Sequence, residues 1–138
     1  MVVDSRARTP ATARLFAAPG PVAVATAGPA GPWPPGTLHL PLPDAEGRVD
    51  LVALLAALAE RECNQVLVEA GPRLLGALLR AGLVDRLVVY LAPKLLGSSA
   101  RPLAEFSVAR LAEALELAVE EIRPVGRDLR LTARVEAA

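Results

Sequence analysis

The sequence predicts an α/β fold with a mainly parallel sheet that a C-terminal antiparallel hairpin closes. Between residues 21 and 91, apolar runs of strand length alternate with segments of helical period, and short links join them. That alternation is typical of a parallel α/β core. Between residues 115 and 136, apolar and polar residues alternate on both sides of Gly126, which indicates the hairpin.

The first 43 residues contain two strand signals and one long connection. Val2 and Val3 resemble the end of a strand that runs into Asp4, and residues 10–17 have room for a short helical turn. Residues 21–26 are apolar enough for a buried strand. Residues 27–43 are dense in proline and glycine, which predicts a connection within the domain, neither helix nor central strand.

The middle of the chain holds the clearest periodic patterns. Leucines at helical spacing predict a helix from the capping residue Asp50 to about Arg61. Residues 65–68 then predict a strand, residues 72–81 a second helix, and residues 86–91 a further strand. This order predicts that the strands lie parallel in one sheet.

Composition limits the class of protein. The 138 residues suffice for a single domain spanning 1–138, and 53% of them are hydrophobic. Fifteen basic and fifteen acidic residues give a formal net charge of zero. A chain without excess positive charge has no general electrostatic attraction to nucleic acid or to anionic membranes, so we expect neither as a partner.

Cysteine and histidine each occur once, at Cys63 and His39. An internal disulfide is therefore impossible, and a closed zinc site, which needs about four ligands, is not expected. A Ser-His-Asp triad would have to use His39, which lies in the proline-rich stretch, and we do not favour it. The chain shows neither an apolar run of the roughly 20 residues needed to cross a bilayer nor a secretory leader, so we expect a cytoplasmic protein.

The acid Glu69 stands where the strand 65–68 is expected to turn into the helix 72–81. In open α/β sheets, ligands bind beyond the carboxyl ends of strands and against helix N-termini. The unpaired amides near Gly71 would suit a phosphate group. Two interpretations stay open, because an acid before a helix is also favourable by about 0.3–1 kcal/mol without any ligand. Gly76 likewise indicates close approach of either a ligand or another backbone.

Three segments resemble one known family. They are "VVDSRARTP" at 2–10, "VLVEAGPRLLGALLRAGLVDRLVVYLAPKLLG" at 66–97 and "EEIRPVGRDLRL" at 120–131. Together they resemble the C-terminal reductase domain of the bifunctional riboflavin-biosynthesis deaminase–reductase. The resemblance implies a dihydrofolate-reductase-like fold, a three-layer α/β/α arrangement. It covers nearly the whole chain and is weakest in the proline-rich middle.

The resemblance also implies an activity and a site. The implied reaction is the NADPH-dependent reduction of the ribosyl group of 5-amino-6-(5-phosphoribosylamino)uracil to the ribitylamino product. In similar proteins the acid that matches Glu69 contacts the substrate, and the serine that matches Ser5 contacts NADPH. No catalytic residue and no metal ligand are assigned. The implied cofactor-binding segment consists of Gly71, Pro72, Arg73, Leu74, Leu75, Gly76 and Ala77.

Departures from the family bear on activity. The zinc deaminase domain and about the first third of the reductase domain have no counterpart in these residues. Arg73 stands where a small polar residue is expected, and it would either reach a cofactor phosphate or point into water, which we favour. We therefore expect a homodimer, through unpaired sheet edges, that binds NADPH weakly and reduces its substrate slowly on its own. The alternative is a non-catalytic, truncated α/β domain that keeps the fold and the dimer without turnover.

Overall fold

A computed structural model describes residues 1–136. The chain forms two compact units, the first comprising Met1–Val66 and the second beginning at Leu67. Within the described residues, each unit contains one three-stranded sheet and one α-helix. The predicted α/β class is confirmed, with the parallel and the antiparallel strands in separate sheets.

The sheet of the first unit is entirely parallel. Its strands β1 (Val2–Val3), β2 (Ala23–Thr26) and β3 (Leu38–Pro41) lie in that order. The short helical turn predicted near residues 10–17 is a 3-10 turn at Arg14–Ala17. The prediction that residues 27–43 form only a connection is wrong at its end, because β3 lies there. As an edge strand, β3 tolerates a proline at its last position, where a central strand would lose a hydrogen bond.

Helix α1 (Leu51–Ala59) belongs to the same unit and confirms the predicted capping residue. The Asp50 carboxylate accepts a hydrogen bond from the Ala53 amide at 2.9 Å. Leu54 is the buried residue of the helix, and it lies in a cluster of buried residues that draws on the sheet as well. The buried members of that cluster are Ala25, Leu40, Val49 and Leu54. Removing these side chains from water stabilises the unit.

The second unit contains helix α2 (Pro72–Arg80), which confirms the predicted helix at 72–81. Its sheet is antiparallel, in the order β4 (Arg86–Leu91), β6 (Asp128–Val135) and β5 (Leu117–Val125). Strands β5 and β6 form the predicted hairpin, and Gly126 between them has a φ of 60°. That positive φ explains a glycine in the turn. A short 3-10 turn also lies at Leu111–Glu113.

The predicted strand at residues 65–68 is not a strand in this structure. No other part of the described chain pairs with these residues, and Val66, Leu67 and Val68 are 40%, 84% and 42% exposed. The prediction of a neighbouring parallel strand is also wrong for β4, which pairs antiparallel with β6. The physical reason is that an apolar run becomes a strand only where a second strand accepts its backbone hydrogen bonds.

One face of the antiparallel sheet is apolar throughout. Residues that pair directly across neighbouring strands share a face, which identifies its members from the register. Several of them remain exposed, including Ile122 at 60% and Val119 at 54%. We call this surface the apolar sheet face; it consists of Leu87, Val89, Leu91, Leu117, Val119, Ile122, Pro124, Leu129, Leu131, Ala133 and Val135.

Candidate functional site

Helix α2 begins without a side-chain cap. Gly71 occupies the capping position with φ −73° and ψ 170°, Pro72 follows at the first helical position, and the first intrahelical hydrogen bond runs from the Leu75 amide to the Gly71 carbonyl. The amides of Gly71, Arg73 and Leu74 therefore have no acceptor within the helix. A Cβ atom built on Gly71 would meet nothing within 4 Å. The start of the helix is open to an incoming group.

This open start has the chemistry of an anion site. The unpaired amides and the positive end of the helix dipole favour a negatively charged group such as phosphate. Glu69 precedes the capping residue by two positions and is exposed. The carboxylate of Glu69 suits hydrogen bonds from hydroxyl groups of a sugar. Its predicted place at the tip of a strand is wrong, because residues 65–68 form no strand in this structure.

Gly76 is explained by a neighbouring backbone. A Cβ atom at Gly76 would lie 2.3 Å from the carbonyl oxygen of Glu105 and 2.9 Å from its amide nitrogen. That amide nitrogen donates to the carbonyl oxygen of Pro72 at 2.8 Å. Of the two interpretations of Gly76, close approach of another backbone is therefore the one observed. The glycine allows the segment around Glu105 to lie directly on α2.

Arg73 pairs with the same segment. Its Nε atom lies 3.2 Å from Oε2 of Glu105, and the two side chains are 90% and 45% exposed. The Arg73 side chain is thus mostly in water, which is the alternative that we favoured from the sequence. Its partner is the acid Glu105. A pair this exposed contributes little to stability, with a median of about 0–1 kcal/mol. The other predicted cofactor contacts of this helix, Leu74, Leu75 and Ala77, are half-buried.

Ser5 lies in the first unit, directly after β1 and Asp4. Its hydroxyl oxygen accepts a hydrogen bond from the Val49 amide at 3.1 Å, and its carbonyl accepts one from the Ala27 amide at 3.2 Å. Within residues 1–136, no acceptor is recorded for the hydroxyl proton. The Ser5 hydroxyl is therefore fixed in place by one contact and retains a donor for a ligand oxygen.

Asp4 is a structural residue that sequence reasoning missed. Its carboxylate accepts from the amide of Thr9 at 2.6 Å and from the hydroxyl of Thr9 at 2.7 Å. Burial acts to raise the pKa of Asp4, but the hydrogen bonds from Thr9 and from the amides of Arg6 and Arg8 outweigh it and lower the pKa. The available signal was an aspartate directly after a strand, which is a common organiser of turns.

His39 is engaged in the fold. The Thr26 hydroxyl, which is fully buried, lies 2.6 Å from the Gly28 carbonyl and 2.8 Å from Nε2 of His39. A carbonyl only accepts, so the hydroxyl donates to Gly28 and Nε2 of His39 is the donor to the hydroxyl. The centroid of the Trp33 ring lies 5.8 Å from the centroid of the His39 imidazole. This arrangement gives His39 a packing role and supports our view that it is not a triad base.

Residues 1–136 show neither a metal-binding cluster nor a membrane-spanning helix. No group of three or more histidine, cysteine or acidic side chains there has the arrangement needed to hold a metal ion. Among the same residues, no helix has the length and apolar character that a bilayer crossing requires.

Comparison with known proteins identifies the family. A family model described as the RibD C-terminal domain matches residues 1–131. The riboflavin biosynthesis protein RibD of Escherichia coli (strain K12) is 44% identical over 131 residues, which cover 94% of this chain and 36% of that protein. A 5-amino-6-(5-phosphoribosylamino)uracil reductase of Buchnera aphidicola subsp. Acyrthosiphon pisum (strain APS) is 35% identical over 100 residues, 72% of this chain and 48% of that protein.

A solved structure agrees with the sequence matches. Acinetobacter baumannii RibD, form 2, superimposes with a TM-score of 0.81 at 29% identity, covering 98% of this chain and 37% of that one. The dihydrofolate-reductase-like α/β fold implied by the resemblance is confirmed. The chain spans less than half the length of each of these relatives. It belongs to the RibD C-terminal domain family.

Proposed function

We propose that this chain carries the NADPH-dependent reductase function of riboflavin biosynthesis, acting on the ribosyl group of 5-amino-6-(5-phosphoribosylamino)uracil. The single observation that supports it most is the uncapped start of α2, with Glu69 two residues before Gly71. Family membership supports the interpretation of that arrangement as a site for a phosphate-bearing cofactor beside a sugar substrate. The residues fit such a cofactor, because three amides are free and no side chain closes the helix start.

We propose for these residues the roles that the resemblance implies, with which their chemistry agrees. The amides of Gly71, Arg73 and Leu74 bind phosphate oxygens, and the absence of a side chain at Gly71 gives the phosphate room. The Ser5 hydroxyl donates to an acceptor on the cofactor. Glu69 orients the opened sugar by accepting hydrogen bonds from its hydroxyls. The cofactor itself, when bound, supplies the hydride that reduces the anomeric carbon to give the ribitylamino product.

A reductase assay with substituted Glu69 tests this proposal. The assay follows NADPH consumption with the phosphoribosylamino-pyrimidine substrate and detects the ribitylamino product by mass spectrometry. Because small misplacement of reacting groups costs about a hundredfold in rate, we expect Glu69→Gln to lower kcat/KM by about that factor. The matched control is Glu60→Gln, since Glu60 is also exposed but lies at the end of α1. Equal activity of the Glu69 and Glu60 variants would contradict the role of Glu69.

The assay needs a second form of the protein. We expect residues 1–138 alone to bind NADPH weakly and to turn over slowly or not at all. Joining them to the reductase segment that precedes the matched region in the Escherichia coli relative should raise turnover. Full activity of residues 1–138 alone would contradict that expectation. Absence of NADPH binding in the extended protein would contradict the reductase assignment itself.

A non-catalytic domain is the second candidate. The observation that favours it is the unpaired segment around residues 65–68, which leads directly into Glu69 and is largely exposed. A substrate-orienting residue on an unsupported segment is held less precisely than one at the end of a paired strand. Retained folding and dimerisation, together with no turnover in the extended protein, would support this candidate.

We also infer a homodimer and a cytoplasmic location. The apolar sheet face is larger than a scatter of single exposed residues, and contiguous exposed apolar surface commonly marks an interface. A second copy would remove it from water. Light scattering that finds only monomer at micromolar concentrations would contradict the dimer. The cytoplasmic location agrees with a chain whose single cysteine, Cys63, cannot form an internal disulfide.

A further inference from the structure

Two arginines face each other across the hairpin of the second unit. Arg130 on β6 pairs directly with Arg123 on β5 and, on its other side, with Tyr90 on β4. Directly paired residues share a face of a sheet, so these three side chains form one row on the face opposite the apolar sheet face. We call this set the arginine row. Like charges directly opposite each other destabilise a sheet, so the row favours negative charge beside it.

Glu121 is the acid that contacts both arginines. Its carboxylate accepts from Nη2 of Arg130, and its Oε2 atom lies 3.8 Å from Nε of Arg123. A separation of 3.8 Å is longer than a hydrogen bond, so the Arg123 guanidinium has no recorded hydrogen bond within residues 1–136. One carboxylate thus serves two guanidinium groups, and a charge of +1 remains in the row and its shared acid.

Two polar groups beside the row are buried without a partner. Within the part of the chain that the structure describes, neither Nε of Arg130 nor the hydroxyl oxygen of Thr132 makes a hydrogen bond. Thr132 pairs with Glu121 and lies on the same face, two positions along β6 from Arg130. Unpaired buried polar atoms are rare in folded proteins, and a binding site for an ion is one of their recognised explanations.

The outer part of the row is open to a ligand. The side chains of Arg123 and Arg130 are 53% and 24% exposed, and Tyr90 is 61% exposed. Two guanidinium groups and a phenol together offer more hydrogen-bond donors than the Glu121 carboxylate can accept. A ligand that carries negative charge and several acceptor oxygens fits this surplus of donors.

The other charges on this face do not cancel the surplus. Arg86 pairs with Glu120 at 3.0 Å. Arg134 lies opposite Arg86 and is exposed, and no ion pair is recorded for it among residues 1–136. Asp128 on β6 is the remaining acid of the face. With the arginine row and its shared acid included, the face carries four arginines against three acids.

We propose that the arginine row binds the phosphate group of a small molecule. Two guanidinium groups present paired donors that match the oxygens of a tetrahedral anion. A phosphate monoester carries close to two negative charges at neutral pH, whereas the Glu121 carboxylate carries one. The phosphate binds the exposed guanidinium of Arg123 and accepts from the Tyr90 hydroxyl as well. The proposal does not depend on the proposed function, because its residues lie on the antiparallel sheet and take no part in the reduction.

A phosphate titration followed by NMR tests the proposal residue by residue. Isotopically labelled residues 1–138 are titrated with inorganic phosphate and, separately, with ribose 5-phosphate, at neutral pH and constant ionic strength. We expect saturable shifts of the amide signals of Arg123 and Arg130, with a dissociation constant of about 1 mM or lower. Equal affinity for the two probes would identify free phosphate as a sufficient ligand. Tighter binding of the sugar phosphate would identify a phosphate ester.

Substitutions with a matched control connect the shifts to the row. Arg123→Ala removes an exposed side chain, and the loss of its charge-assisted contacts should weaken phosphate binding by about tenfold or more. Arg127→Ala is the control, because Arg127 is an exposed arginine in the turn of the same hairpin. It removes the same charge and should leave phosphate binding unchanged. Tyr90→Phe removes only a hydroxyl and should weaken binding by about threefold.

Glu121→Gln measures the competition for the two arginines. Glutamine keeps the shape of the side chain and removes its charge, so phosphate should bind more tightly to this variant. Unchanged or weaker binding would count against the proposal.

The site-resolved signals also separate this inference from the proposed function. Shifts that do not saturate would overturn the inference, and so would an equal loss of affinity in the Arg123 and Arg127 variants. Phosphate shifts confined to the start of α2 would overturn it and support the proposed function. Saturable shifts at the arginine row, together with no NADPH binding in the extended protein, would support the inference and contradict the proposed function.

Discussion

Helices α1 and α2 begin in opposite ways. Both are nine residues long, but α1 follows Asp50, whose side chain accepts from the Ala53 amide, whereas α2 follows Gly71, which has no side chain to offer. The same contrast extends to the turn after β1, which the Asp4 carboxylate closes. The first unit thus satisfies its free amides with its own carboxylates. The second leaves the start of α2 without a side-chain cap, which is where the proposed function places a ligand.

The largest effect is expected when α2 is made to resemble α1. Gly71→Asp introduces a capping side chain at a position whose φ and ψ suit one and where a Cβ atom has room. The new carboxylate would occupy the free amides and repel phosphate, so NADPH should bind at least about tenfold more weakly, as expected for lost charge-assisted contacts. The melting temperature should rise slightly, because a capping aspartate exceeds glycine by only about a few tenths of a kcal/mol.

Gly71→Asn is the matched control for that substitution, since asparagine caps the helix without adding charge. It should raise stability in the same way and weaken NADPH binding less. Cofactor titration and thermal melting measure the two effects separately. If the aspartate variant bound NADPH as tightly as the native chain, the start of α2 would not be the phosphate site.

The next effect concerns the contact that Gly76 permits. In a helix interior, alanine is more stabilising than glycine by about 1 kcal/mol. At position 76, however, the Cβ atom of alanine would lie 2.3 Å from the backbone oxygen of Glu105. Overpacking of this kind costs about 1–3 kcal/mol, and a rigid backbone places the cost near the upper end. We therefore expect Gly76→Ala to lower the free energy of unfolding by about 1–2 kcal/mol in urea titrations. Gly71→Ala, which meets no neighbour, is the control; a stabilised Gly76→Ala protein would show that the Glu105 segment does not lie on α2.

Opening the start of α1 should have a smaller effect. Asp50→Ala removes the cap and should lower the free energy of unfolding by about 0.5–2 kcal/mol. Asp50→Asn keeps a capping oxygen and should retain most of the stability. Neither variant should change NADPH affinity, because this helix start is closed in the native chain. Weaker binding of NADPH after either substitution would contradict the division of roles between the two helices.

The smallest effect is a pH dependence at Asp4. The pKa of this carboxyl is lowered below its ordinary value of 3.8. A lowered pKa in the folded protein means that the carboxylate stabilises the fold above the ordinary pKa and that this contribution is lost as the pH falls through the lowered value. Asp4→Asn should therefore be less stable than the native chain at neutral pH, and the difference should shrink in acid. Denaturant titrations at neutral pH and in acid measure the difference in free energy of unfolding between the two proteins. A difference that does not change with pH would show that the charge of Asp4 is unimportant.

The sequence by itself determined the local elements and the outline of the candidate site. Helical spacing, the cap at Asp50, the proline after Gly71 and the alternation around Gly126 are short-range signals, and each corresponds to an observed helix end or turn. The three segments at residues 2–10, 66–97 and 120–131 together were enough to indicate the family. Such features depend on residues a few positions apart, which is why they can be read without tertiary information.

The tertiary structure alone decided which apolar runs became strands and what the polar side chains contact. Residues 65–68 have the composition of a strand but no partner, whereas β3 formed in a proline-rich stretch because β2 lies beside it. The neighbour of Gly76 is Glu105, and the Ser5 hydroxyl is fixed by the distant amide of Val49. Strand pairing and close packing join residues far apart in the chain, and no local pattern specifies which of them will meet.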